Sequence, residues 1–169
     1  MNAQRAVVDA DQEPSDFDEL DACHRQIRAN LDRLSALAAR IQAEGLTPDA
    51  RAEAGAIEAF FSSTSRDHHA QEERTVLPPL LESGDAALVA KVRLVQQDHG
   101  WIEENWIELA PRLRAIAQGT DWIDPAEFMH DIALYDELCS GHIALEESLI
   151  YPQSRARWAA ALARRGVQA

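Results

Sequence analysis

The stretch His68-His69-Ala70-Gln71-Glu72-Glu73-Arg74-Thr75-Val76-Leu77-Pro78 returns later in the chain as His142-Ile143-Ala144-Leu145-Glu146-Glu147-Ser148-Leu149-Ile150-Tyr151-Pro152. Laid over each other, both read His, three residues, Glu-Glu, four residues, Pro. In a helix, positions i and i+4 lie one above the other on a single face. Each copy therefore aims an imidazole and a carboxylate at the same spot. The proline predicts that each helix ends or bends about a turn and a half later.

The match extends outward. His24 precedes His68 by 44 residues, and His99 precedes His142 by 43. The chain thus reads as two copies of one unit, a lone His followed by His-x-x-x-Glu, with a period of 74 to 75 residues. A repeat of this length is too long for a solenoid and suits a duplicated helical hairpin.

Composition bounds the fold and the partners. A chain of 169 residues suits one domain with a real core. Ala, Leu, Glu and Arg dominate and β-branched runs are almost missing, which favours helix. A net charge of −13 argues against nucleic acid or an anionic membrane surface as partner. No stretch nears the ~18 consecutive apolar residues of a membrane span. With no apolar signal core and only two cysteines, the chain reads as a soluble cytoplasmic protein.

Taken in order, residues 1–15 read as a flexible acidic tail. A first helix starts near Ser15 or Asp16, carries Leu20, His24, Ile27, Leu31, Leu34, Ala38 and Ile41 on one face, and stops at Glu44-Gly45. Thr47-Pro48 signals a cap and a second helix, with Ala56, Phe60, Phe61 and Thr64 leading to His68 and Glu72. Pro78-Pro79 breaks it, and Ser83-Gly84-Asp85 makes a turn. The third helix has Val92, Val95, His99, Ile102, Trp106 and Leu109 inward, and Pro111 bends or ends it. Asp124-Pro125 opens the fourth, with Phe128, Ile132, Tyr135, Leu138 and His142 inward. A short Arg- and Ala-rich helix follows over 153–165. These elements predict an all-α, antiparallel up-down-up-down four-helix bundle over 16–152, with a short extra C-terminal helix and tail over 153–169. Alternating directions bring the four histidines of the grid to one level.

Four imidazoles and two carboxylates inside a bundle cost several kcal/mol each if left unpaired. A metal resolves this, since neutral imidazole and ionised carboxylate are its natural ligands. Six ligands are too many for one tetrahedral zinc, and no cysteine pair offers thiolates. Two glutamates, one above each of two histidines, are placed to bridge a pair of ions. Nitrogen and carboxylate ligation suits iron or manganese better than copper or zinc. A lone His on an apolar face is ordinarily a satisfied core histidine, and a single His-x-x-x-Glu pair is ordinary surface chemistry. The repetition of four spacings is what favours the dinuclear metal reading.

Taken together, His24, His68-x-x-x-Glu72, His99 and His142-x-x-x-Glu146, with Glu-Glu and Pro following, resemble the hemerythrin-like (HHE cation-binding) superfamily. The resemblance covers about residues 16–152. It implies a four-helix bundle holding two non-haem iron ions, with manganese and zinc as substitutes that tolerate much of the same ligand set. His24 and His68 would serve one iron, His99 and His142 the other, and Glu72 and Glu146 would bridge them. Oxygen-carrying hemerythrins have a second histidine one turn after the third-helix histidine, where this chain has Glu103. Glu103 is then either an extra carboxylate ligand or a partner that holds an imidazole. As a ligand it would favour the ferric state and weaken reversible dioxygen binding.

The resemblance implies a small-molecule partner, namely dioxygen, peroxide or nitric oxide, in stress response or sensing, with peroxide handling as the possible enzymatic activity. The alternatives are an iron-centre repair or iron-delivery factor, a non-catalytic oxygen- or metal-binding protein, and a metal-free helical interaction module. The repair family's cysteine-bearing N-terminal segment is missing. His69, one residue round from His68, is expected to point to the surface or an interface, and His130 to solvent. Glu73 and Glu147 are expected to cap helices or to pair with arginine. Tyr135, Trp106 and Cys139 read as core. Cys23 faces away from His24, and Trp101 and Trp122 carry no assignment.

Overall fold

A computed structural model describes residues 14–120 and 124–166, and every regular element in them is helical. The acidic tail expected over 1–15 lies mostly outside the described residues, as do Trp122 and the last residues of the tail, 167–169. Helix α1 spans Pro14–Glu44 and ends at Gly45, which takes a left-handed φ of 78°. Helix α2 spans Pro48–Phe60 and is capped by Thr47, whose side-chain oxygen accepts from the Ala50 N–H. A π turn over Phe61–Ser65 joins α2 to α3, Arg66–Thr75. The short α4, Pro78–Leu81, follows. Helix α5 spans Ala86–Gln118, with Asp85 accepting from the Ala87 and Leu88 N–H groups at its start. Helix α6 spans Pro125–Leu145 behind the matching cap at Asp124. A second π turn, Glu146–Ile150, leads into α7, Tyr151–Gly166.

Helix α1 packs on α2 and α6, and α5 packs on the same two, so four helix pairs close a ring around one interior. The apolar residues of that interior fall into two groups. One holds Ile27, Leu31, Leu34, Ile57, Phe61, Ile102, Trp106, Leu113, Tyr135 and Cys139. The other holds Leu20, Val76, Leu77, Leu80, Val92, Val95, Ile150 and Tyr151. Along α1, His24 falls between Leu20 of the second group and Ile27 of the first. His99 falls likewise between Val95 and Ile102. The histidines form a polar belt across an otherwise apolar core.

Several expectations are corrected. Pro111 does not end its helix, since α5 runs through it to a left-handed Gly119 with φ 66°. Pro152 does not end the fourth helix either. The π turn before it opens the ladder, and the Tyr151 N–H bonds the Glu146 carbonyl five residues back. Copy one repeats the device: the Leu77 N–H, just before Pro78, bonds the Glu72 carbonyl at 3.0 Å. In α2 and the π turn after it the inward residues are Ala50, Ala54, Ile57 and Phe61, while Ala56 and Thr64 are exposed. Counting back from His68 in fours walks off the face, because four residues overshoot a turn by about 40°. The start of α7 is pinned to the bundle: Arg155 pairs with Asp21 of α1, and its guanidinium lies 5.1 Å from the centre of the Phe17 ring.

Candidate metal centre

The belt gathers His24 from α1, His68 and Glu72 from α3, His99 from α5, and His142 and Glu146 from the fourth arm. All are buried, and His24, Glu72 and Glu146 show no exposed surface. His24 Nε2 and His142 Nε2 each lie 3.2 Å from Glu146 Oε2. His68 Nε2 lies 3.4 Å from Glu72 Oε1, and His99 Nε2 3.4 Å from Glu72 Oε2. His99 Nε2 is also 3.6 Å from Glu146 Oε1. Each glutamate thus reaches histidines from both halves of the repeat.

These atoms are close but not satisfied. His68 Nδ1 and Nε2, His99 Nε2, both nitrogens of His142, Glu72 Oε2 and both oxygens of Glu146 find no hydrogen-bond partner among the described residues. Each orphan of this kind costs about 1–3 kcal/mol. Of these, the Nε2 atoms of His68, His99 and His142 face the carboxylates of Glu72 and Glu146 at 3.2–3.6 Å, a buried set of donors that cations need and a packed core avoids. Two groups of ligand atoms have all members within 4.8 Å of one another: His24, His68, Glu72 and Glu146, and His69, Glu72, His99 and His142. Both groups could hold a metal ion, and Glu72 belongs to both.

Around this centre stand the residues that orient it. His24 Nδ1 donates to Glu147 Oε1 at 3.1 Å, which turns Nε2 inward. Glu147 is itself clamped by Arg28 through two bonds of 2.8 Å. On the other side His99 Nδ1 donates to Glu73 Oε1 at 2.9 Å, and Gln96 donates to the second oxygen of Glu73. His142 Nδ1 has Asp98 at 3.8 Å. The second glutamate of each Glu-Glu pair therefore holds the lone histidine of the other copy. Glu147 was expected to cap or to meet arginine, and it meets both Arg28 and an imidazole; Glu73 meets His99 in place of an arginine. Glu73→Gln or Glu147→Gln is expected to weaken metal binding about 10- to 100-fold by chelator competition while leaving the fold intact.

Two other residues depart from the sequence reading. Glu103 is not brought to the cluster: its carboxylate, a third exposed, pairs with Arg66 Nη2 at 2.9 Å. His69 is brought in. It is half-buried, its ring stacks on His99 at 4.4 Å between centroids, and it meets His142 edge-on at 5.4 Å. His68 meets His24 at 4.7 Å. The inward direction of α3 runs between the two adjacent histidines, which lie about 100° apart, so each reaches a different neighbouring helix. A third residue, Tyr151, carried no sequence signal beyond its place before the second Pro. Its hydroxyl donates to Glu72 Oε1 in a short bond and lies 3.1 Å from His24 Nε2, with the ring stacked on His24. His130 is exposed and Cys139 buried, as expected.

Protonation follows from this crowding. Burial and the neighbouring His24 push His68 down to about 3, so it stays a neutral donor. Burial and His99 likewise push His69 down to about 2. Burial opposes a charge on His99, but the carboxylates of Glu146 and Glu72 outweigh it and raise the group to about 10. His142 rises to about 9 against the same burial, through Asp98 and Glu146. Although burial works against its charge, the imidazoles around Glu146 hold it well below the usual carboxylate range. Glu72, buried and facing Glu146, is pushed up. Burial raises the Tyr151 hydroxyl, and Glu72 and Glu146 add to the effect, so the phenol keeps its proton.

No helix among the described residues is long and apolar enough to cross a membrane. Comparison with curated proteins and with solved structures matches none of them. The family model described as the hemerythrin HHE cation binding domain matches residues 15–154. That span takes in α1 through the start of α7 and every residue of the belt, and the chain belongs to the hemerythrin HHE cation-binding domain family.

Proposed function

We propose that the chain is a non-haem di-iron protein that binds or reacts with dioxygen, peroxide or nitric oxide, in stress response or sensing. The observation that carries this reading is the set of orphaned nitrogens and oxygens on His68, His99, His142, Glu72 and Glu146, all buried and gathered in two groups whose ligand atoms lie within 4.8 Å of one another. In this reading His24 and His68 hold one ion, His99 and His142 the other, and Glu72 and Glu146 lie between them. The four arms alternate up-down-up-down, which sets the histidines at one level. Manganese or zinc would occupy the same ligands. The reading puts the protein in the cytoplasm, in keeping with two free thiols, Cys23 and Cys139.

Two bound iron ions would supply coordination positions and electrons for a small oxidant or gas. The chain's own part is to hold the imidazoles of His24 and His99 through Glu147 and Glu73, and to keep bulk water out with the apolar groups on either side. Its one phenolic proton at the cluster is the Tyr151 O–H on Glu72. Tyr151→Phe is expected to keep the metals and to slow a proton-requiring reaction with peroxide by about 10²-fold, a common size for a positioned acid. Stopped-flow absorbance at matched metal content checks this.

With Glu103 engaged by Arg66, the argument that an extra carboxylate disfavours dioxygen loses its support. Dioxygen therefore stands beside peroxide and nitric oxide. The test is to load the protein with ferrous iron without air and expose it separately to each. A ferric spectrum altered by peroxide supports stress handling, and a nitrosyl signal without peroxide reactivity supports sensing or the alternative of iron-centre repair. Inertness to all three would leave a non-catalytic metal-binding protein and overturn the proposal.

A further inference from the structure

The duplication that builds the belt is broken at two positions that line it. Where copy one has His69, copy two has Ile143, and where copy two has Tyr151, copy one has Leu77. Ile143 and Leu77 are buried apolar residues, so the sequence reads as though each half had given up one polar group. The two exceptions sit on opposite sides. Tyr151 stacks on His24, and His69 stacks on His99.

We propose that His69, and not Glu103, completes the ligand set of the second metal, the one held by His99 and His142. The inference rests on the dinuclear reading above. Two imidazoles bound side by side on one ion, with metal–nitrogen distances of about 2.1 Å, place their ring centres roughly 4.7 Å apart. The pairs assigned to one ion fall near that value: His24–His68 at 4.7 Å and His99–His142 at 4.8 Å. His69 stands 4.4 Å from His99 and 5.4 Å from His142, in the same range from both. A ring nitrogen of His69 lies within 4.8 Å of the ligand atoms of Glu72, His99 and His142. The same helix disposes of the competitor. Arg66, three residues before His69 on α3, draws the Glu103 carboxylate away at 2.9 Å. The second metal would then be held by three imidazoles and the first by two, with the Tyr151 hydroxyl on the side of the first, beside His24 and Glu72.

The test compares wild type, Glu103→Gln and His69→Gly, each titrated with ferrous iron without air, desalted and counted for iron per chain. Two irons are expected in wild type and in Glu103→Gln. His69→Gly is expected to bind its second iron at least about tenfold more weakly, and added imidazole should restore it. Glycine disfavours the helix it sits in. If circular dichroism shows His69→Gly unfolded, His69→Ala takes its place in the same assay. A His69 that only packed would show no metal-dependent rescue. Two irons in His69→Gly with the wild-type ferric spectrum, or loss of one iron in Glu103→Gln alone, would overturn the assignment and leave the dinuclear reading standing. No iron in wild type would overturn both.

Discussion

Glu72→Ala is expected to strip both metals from the chain at once. Glu72 is the residue common to both candidate groups, with Oε1 3.4 Å from His68 and Oε2 3.4 Å from His99. Removing it takes an anionic ligand from each ion and leaves buried imidazoles facing one another. Metal content should fall from two per chain to less than one, and the variant should melt like metal-free wild type whether or not iron is added. His68→Ala, which touches one group only, should lose one ion preferentially. The Tyr151 hydroxyl, which donates to Glu72, loses its acceptor in Glu72→Ala, so a tyrosine signal in ultraviolet difference spectra should shift as well. Retention of both metals in Glu72→Ala would contradict its bridging place.

Removing the metals from the intact protein should be nearly as costly. A ligand present at about 1,000 times its Kd stabilises the folded state by about 4 kcal/mol. For a chain of this size that corresponds to a Tm lower by roughly 8–16 °C after chelation. The gap should depend on pH, and its sign can be worked out. In the metal-free protein His99 and His142 are raised to about 10 and about 9, above the ordinary value near 6.5. Their contribution to metal-free stability is therefore complete below about pH 6.5 and is lost as pH rises through 9 and 10. Metal binding must displace those same protons, so affinity strengthens over the same interval. These are one linkage seen from two sides: the Tm difference between loaded and chelated protein should widen from pH 6.5 to 9. Calorimetry at several pH values, with matched iron, checks it. A gap that narrows over that range would mean that these two imidazoles do not carry the protons assigned to them.

The helical fold and the position of the belt were legible in the sequence because helical periodicity reports which residues share a face. His24, His68, His99 and His142 with Glu72 and Glu146 converge for that reason, and the caps at Thr47 and Asp124 are where composition puts them. What periodicity does not report is which neighbouring helix a second face meets. Glu73 and Glu147 lie about 100° from the inward glutamates, and their role depends on the helices beside them carrying a lone histidine. The repeated Glu-Glu was the available signal, since both second positions recur. His69 escaped for a related reason, as a residue turned away from one neighbour can face the next. Glu103 had the right register and was drawn off by Arg66, a contact between helices that spacing does not encode. Tyr151 was hidden by the backbone. Five residues of regular helix would put it about 140° from Glu146, whereas the π turn between them, ahead of Pro152, carries it back to the same side.

The central claim is that the repeated histidines and glutamates exist to hold a pair of metal ions. Elemental analysis of protein purified after growth or refolding with iron tests it most directly, read together with the ultraviolet-visible spectrum. The account predicts two irons per chain, lost together in Glu72→Ala and accompanied by absorption of bridged ferric ions. A single iron, or no stoichiometric metal, in a folded wild-type chain would contradict it.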